Sequence, residues 1–467
     1  MAAWRDDVRQ AVRGRALHAP AADRLEAFDD ALIEVDAAGM IVAVQDARTE
    51  QGAARLAALA DRVAVLPPGQ VLLPGFVDLH IHAPQWPQRG TALDLPLEHW
   101  LGEYTFPLEA RYADADYAAR VYDDLVAALL ANGTTTAVYF ASLHLPATQI
   151  LAETCLRRGQ RALVGRVAMD HPEICPAAYR DDSAEQAEAQ TRALIAHIRA
   201  LPGNDPPLVW PAITPRFIPA CTDDLLHRLG RLAAETGCHV QTHASESDWE
   251  HGHVRDRCGM TDAAALGGFG LLTRRTVLAH GNFLDDGDLR IVRDAGAGIA
   301  HCPLSNVYFA DAVFPLRAAL SRAVHVGLGT DIAGGASPSM LDAARHAVAM
   351  SRALDSGVDP ALPRQTRGRG AARIGPVTAF WLATAGGGMV LDLPVGLFRP
   401  GYAFDAVAID PQAPGSNFAL TRGESAAQAL ERIVHLATRA NIARVWVAGR
   451  AVISPPGSPE EGSLWRA

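Results

Sequence analysis

Lysine is absent from this chain: all 42 basic residues among its 467 are arginine, set against 52 acidic residues. With abundant alanine, that usage reads as genomic base composition, yet its chemical consequences hold. Schiff-base chemistry, a P-loop lysine and a carboxylated metal-bridging lysine are all excluded. Cysteine is scarce. The six residues (155, 175, 221, 238, 258 and 302) are scattered and form no Cys-x-x-Cys pair. This excludes a disulfide framework or zinc ribbon and suits reduced cysteines in a cytoplasmic protein. No apolar run approaches the ~18 residues of a membrane span, so none is expected. Met1 to Gln10 holds Arg5, Asp6, Asp7 and Arg9 around no apolar core and does not read as a secretory signal. A net charge of −10 counts against a nucleic-acid surface.

What is present is organised in two styles. Near the amino terminus, Leu32 to Val35 and Ile41 to Val44 flank Asp36-Ala37-Ala38-Gly39, a hairpin with a glycine-bearing turn. Asp405 to Ile409 and Arg444 to Ile453 read as strands near the other end. The middle alternates apolar strand-like runs with helical patterns. The runs are 71–83, 133–140, 161–170, 208–217, 238–246, 276–283, 296–303 and 325–334; the helical patterns include 117–131, 185–200, 223–236 and 340–354. Eight such alternations predict a (β/α)8 TIM-like barrel in the α/β class, over residues 70–391. Residues 1–69 and 392–467 are expected to build one small β-sandwich domain from both termini. A doubly wound open sheet is the competing fold, lowered because no G-x-G-x-x-G follows a strand. The arginine-rich stretch 364–373 reads as a solvated loop, and the tail from Pro455 as Pro/Gly-rich low complexity.

The polar residues that stand out fall at the carboxyl ends of the expected strands, where barrel active sites lie. His80 and His82 are two apart in an extended run, so both imidazoles face one side and can share a metal. His243 and Glu246, His280, and Asp331 end three further runs. A lone strand-end histidine is more often structural, and an aspartate after Gly-Thr more often a turn residue. Their joint placement favours metal chemistry. Three imidazoles and a carboxylate suit one Zn2+, with Fe2+ an alternative. His80, His82, His243 and Asp331 can serve as ligands, leaving Glu246 and His280 for proton work. His301 reads as either a supporting or a structural residue, and His251 and His253 as a solvated helical face. The His-x-Glu and Pro-Cys-x-x-Cys strings of nucleic-acid deaminases are missing.

Taken together, Pro74-Gly75-Phe76-Val77-Asp78-Leu79-His80-Ile81-His82 with the later His, His and Asp resembles the amidohydrolase superfamily. The resemblance narrows further on several strings. They are His82 to Trp86, Asp94 to Leu97 with Trp100-Leu101, Tyr104 to Pro107, Asn132 to Thr136, Thr214 to Phe217, Ala300 to Pro303 and Gly327 to Gly335. They are similar to the branch of the superfamily that hydrolyses guanine to xanthine and ammonia, over roughly residues 70 to 390. That resemblance implies zinc on His80, His82, His243 and Asp331. It implies substrate contacts from His82, Ala83, Pro84, Gln85, Arg216, Phe217, His243, Glu246, His280 and Asp331. It also implies a homodimer. Departures are Trp86, where other aromatics occur, and Leu304 within His-Cys-Pro-x-Ser-Asn. With no lysine, the carboxylated bridge of binuclear members is impossible. One metal is favoured, and a bridging Glu or Cys stays open.

On this reading Glu246 protonates N3 of the ring, Asp331 carries a proton to the leaving ammonia and His280 steadies the developing charge. Gln85 and Arg216 face the purine O6, and Phe217 and Trp86 supply a ring face. Two rival readings remain: an aminohydrolase for another aminopurine, a pterin or a triazine, and a non-catalytic scaffold on the same fold.

Overall fold

The structure, a computed structural model, describes residues 8–421 and 423–454; the Pro/Gly-rich tail and the first seven residues of the amino-terminal stretch lie outside them. Five strands open the chain: β1 (Val8–Ala21), β2 (Arg24–Asp36), β3 (Ile41–Asp46), β4 (Val63–Val65) and β5 (Val71–Pro74). Nine follow in alternation with helices: β6 (Phe76–His82), β7 (Thr134–Phe140), β8 (Arg161–Gly165), β9 (Val167–Ala168), β10 (Val209–Pro215), β11 (His239–Ala244), β12 (Thr276–His280), β13 (Gly298–His301) and β14 (His325–Leu328). Three close it: β15 (Ala406–Ile409), β16 (Ile442–Val447) and β17 (Arg450–Ile453).

β6 to β14 form the parallel barrel, ordered β14-β13-β12-β11-β10-β8-β7-β6, with the short β9 beside β10. Every residue of β6, β7, β11 and β12 is buried, as parallel strands covered on both faces require. The helices between them have local start and stop signals. Asp114 caps Ala115–Ala131, and Thr222 caps Asp223–Thr236, which Gly237 ends in the left-handed region. The ring nearly closes where Ile332, just past β14, bridges Ile81. Asp331 N–H donates to the His80 carbonyl at 2.9 Å and His82 N–H to the Ile332 carbonyl at 2.6 Å. This closure brings the first and last strands' functional residues together.

Both termini enter the other sheet, ordered β17-β16-β15-β5-β1-β2-β3, with β4 against β1. The apolar run 71–83 is therefore divided. Val71–Pro74 pairs with β15 and β1, while Phe76–His82 enters the barrel. Gly75 makes the change of partner: its N–H donates to the Asp405 carbonyl, and a Cβ there would sit 2.2 Å from Thr135 Oγ1. The run 444–453 likewise divides into β16 and β17 around Ala448-Gly449. No helix among the described residues is long and apolar enough to cross a membrane.

Candidate active site

The strand-end residues converge. His80 and His82 end β6, with rings 4.8 Å apart, and His243 on β11 stacks on His82 at 5.0 Å. Asp331 Oδ1 lies 3.0 Å from His80 Nε2 and 3.5 Å from His82 Nε2. His82 Nε2 and His243 Nε2 are 3.0 Å apart. His280 Nε2 stands between Glu246 Oε1, at 3.5 Å, and Asp331 Oδ2, at 4.0 Å. Ser245, His280 and Asp331, all non-glycine, have φ of 52°, 74° and 51°. Such backbone costs energy and is found where a site dictates geometry.

The donors are set for a cation. His243 Nδ1 donates to the Arg216 carbonyl at 2.6 Å, which leaves the lone pair of the neutral ring on Nε2. His280 Nδ1 donates to Asn306 Oδ1 at 2.9 Å, with the same effect. His80 Nε2 is buried without any hydrogen-bond partner, and so is His280 Nε2. Burial pushes His80, His82 and His243 well below the usual histidine range, and neighbouring imidazoles push the same way. Neutral rings are the form that ligates metal. With no proton on these Nε2 atoms, their lone pairs and the carboxylate oxygen all face one point, the arrangement a cation satisfies. The cluster therefore has the donor set of a metal site, with His80, His82 and His243 in one grouping and His80, His280 and Asp331 in another. Burial raises Asp331 to about 6, which His280 opposes. Burial, then the Asp331 charge, pushes Glu246 well above the carboxylate range.

A cavity opens on this cluster. His82, His243, Glu246 and Asp331 line it on one side, and Gln85, Arg216 and Phe217 on another. Leu97, Trp100, Leu101 and Phe309 form an apolar wall, with the Trp100 and Phe309 rings 4.9 Å apart. Ala83 and Pro84 lie in the turn Ala83–Gln88 that aims Gln85 and are not among the lining residues. Trp86 does not line it either. Its indole N–H donates to Asp124 at 2.6 Å, and Arg89 covers its ring at 3.1 Å. The indole thus points away from the cavity because it has a carboxylate to satisfy behind it.

Several participants carried no role in the sequence reading. Trp100 lies within a family-like string, but only the fold shows its ring on the cavity wall. Asp78 accepts from Thr330 N–H at 2.9 Å and Thr330 Oγ1 at 2.6 Å, tying β6 to the loop that carries Asp331. His301 is buried against Phe314 at 5.3 Å and does not line the cavity. His251 is not solvated: its Nδ1 lies 3.3 Å from buried Asp262 and its ring stacks on Phe283.

A parallel barrel with a strand-end histidine and aspartate cluster defines a class, and the comparison with known proteins agrees. The model of the Amidohydrolase family matches residues 71–452, and the chain belongs to that family. A probable guanine deaminase of Schizosaccharomyces pombe is 36% identical, covering 94% of this chain and 82% of that one. The guanine deaminase of Mus musculus is 35% identical, covering 94% and 96%. The crystal structure of a guanine deaminase from C. acetobutylicum, with guanine in its active site, superposes with a TM-score of 0.83 at 28% identity, covering 95% and 100%. These relatives put the chain in the guanine deaminase branch of the family.

Proposed function

We propose that the chain hydrolyses guanine to xanthine and ammonia, with a single Zn2+ held by His80, His82, His243 and Asp331. The observation that carries this reading is one cavity that joins the histidine–aspartate cluster to the paired donors Gln85 and Arg216 and the Phe217 ring. Zinc rather than Fe2+ is supported by the three-imidazole, one-carboxylate donor set. When bound, the metal lowers the pKa of its water from 15.7 toward about 7 and so supplies a nucleophile at neutral pH.

The chain's own residues do the rest. Arg216 and Gln85 offer N–H groups to the O6 edge, and Phe217, Trp100 and Phe309 close the ring into an apolar slot. Glu246, pushed above the carboxylate range by burial, is suited to carry a proton and give it to N3 as attack at C2 disrupts the ring. Asp331 Oδ1 is turned to His80 and His82, and Oδ2, on the side of His280, takes a proton and passes it to the leaving ammonia. The His280 lone pair lies between the two carboxyls and can accept from the attacking water. The homodimer expected from the resemblance and a cytoplasmic place of action belong to the same reading. The latter is supported by six cysteines that form no disulfide.

The test is product analysis with metal-loaded protein. Guanine should yield equimolar xanthine and ammonia, while pterins and triazines are turned over more slowly. Release from one of those rings in place of guanine would move the assignment to it. Glu246→Gln should keep the metal and lose about 10²–10⁴ in kcat, the range of general acid–base assistance; unchanged turnover would remove Glu246 from the proton path.

A further inference from the structure

Neither Gln85 nor Arg216 is oriented by its own element. Both are held by Glu109, a buried carboxylate on the short helix Phe106–Ala110 that does not line the cavity. Arg216 Nη1 donates to Glu109 Oε2 at 2.7 Å and Nη2 to Oε1 at 3.2 Å. Gln85 Nε2 donates to the same Oε1 at 2.8 Å. On its other side Gln85 Oε1 accepts from Ala333 N–H at 3.2 Å. A carboxylate can only accept and a backbone N–H can only donate, so the Gln85 amide has one allowed orientation. Its amide nitrogen keeps a second hydrogen, and Arg216 keeps three of its five N–H groups, for whatever enters the cavity.

We propose that Glu109 is a positioning residue: it holds Gln85 and Arg216 as a matched pair of hydrogen-bond donors and so makes the cavity select a purine with an oxo group, not an amino group, at the recognised edge. The inference rests on the reading of the site as a guanine-hydrolysing centre and names what sets its specificity. Without Glu109, Gln85 loses one of the two partners that fix its flip. Arg216 is fully buried and would lose its counter-charge. Burial works against its guanidinium, and Glu109, helped by Tyr179 and Cys175, outweighs it and holds the group above its usual range. A freed guanidinium would swing toward another acceptor, and a displacement of about 1 Å at a positioning group costs on the order of 10²-fold in rate.

The experiment compares wild type, Glu109→Gln, Arg216→Met and the double variant, all metal-loaded, with metal content and thermal midpoint recorded. Two quantities are read: kcat/KM for guanine, and the ratio of inhibition constants for hypoxanthine and adenine, which differ in oxo against amino at that edge and lack the 2-amino group. Wild type should bind hypoxanthine more tightly. Glu109→Gln should lower kcat/KM about 10²-fold and shrink the hypoxanthine-to-adenine preference at least about 10-fold, with metal retained. Adding it to Arg216→Met should cost less than about 10-fold, because its main route of action is gone. Losses that multiply, or a preference that does not move, overturn the inference. Each single variant leaves one buried charge unpaired, so Glu109→Asp, which keeps a counter-charge for Arg216 but draws it back by one methylene, decides if either does not fold: its hypoxanthine-to-adenine preference should shrink, and an unchanged preference overturns the inference. A wild type inactive on guanine would sink the substrate assignment alone, because the inhibitor ratio and its dependence on Glu109 are read without turnover.

Discussion

At the scale of single residues, the geometry of the candidate site depends on groups that do not line the cavity. Glu246 follows Ser245, held at positive φ, and its own N–H donates to Glu250 Oε2 at 2.9 Å. Ser245 Oγ is in turn bonded to Asp262 at 2.9 Å, and both carboxyls are fully buried. Burial pushes Glu250 well above its ordinary range, and Asp262 adds to the shift. The pair thus clamps a strained turn whose product is the position of one carboxyl. Glu250→Ala removes the acceptor and should lower kcat by roughly 10²-fold through misplacement of Glu246, with bound metal unchanged. Loss of the metal along with activity would instead mean that Glu250 supports the ligand set. Residue type and strand-end position made His80, His82, His243, Glu246, His280 and Asp331 legible in the sequence. Glu109, Asp78 and Glu250 were not legible, because a buried carboxylate on a helix or strand shows its role only once partners from elsewhere in the chain are beside it.

At the scale of elements, the barrel and the terminal sheet are stitched by one buried ion pair. Arg161 at the start of β8 donates to Asp405 just before β15, at 2.9 and 3.0 Å, with 9% and 0% of the two side chains exposed. Asp405 also accepts from Ala448 N–H at 2.7 Å, and its carbonyl accepts from Gly75. Asp405→Ala strands a buried guanidinium, which costs about 3–5 kcal/mol. The urea midpoint should fall accordingly, while kcat at permissive conditions stays near wild type because no cavity residue touches this joint. A midpoint shift under about 1 kcal/mol would show that water reaches Arg161. The same joint explains where element boundaries eluded the sequence. The apolar run continues through Val71 to Ala83, interrupted by polar residues only at Asp78, His80 and His82, since every residue of β5 and β6 is buried at this junction. A change of hydrogen-bonding partner leaves that run untouched, and only Gly75 marks it.

At the scale of the whole molecule, pH acts through buried groups of opposite sign. Burial lowers His301 to about 3 and, less far, depresses His18, His239 and His346. Between the folded and unfolded values such a histidine is neutral in the native state and charged in the unfolded chain. The unfolded state binds more protons there, so stability rises with pH across that window and is lost as pH falls below about 6.5. The buried carboxyls Asp78, raised to about 7, and Glu250 do the reverse. Their native forms keep a proton that the unfolded chain has released, so they withdraw stability as pH rises above the ordinary carboxylate range. The net profile is a partial cancellation, and a difference between two proteins isolates one group. His301→Leu removes a histidine that lines no part of the cavity. Each pH unit inside the window is worth about 1.4 kcal/mol. Between pH 7 and pH 5 the unfolding free energy of the variant should therefore gain on that of wild type by about 2 kcal/mol, measured by urea titration at fixed metal concentration. Two profiles that stay parallel would mean that His301 is protonated as readily in the folded protein as in the unfolded chain, and that its packing against Phe314 admits a charge.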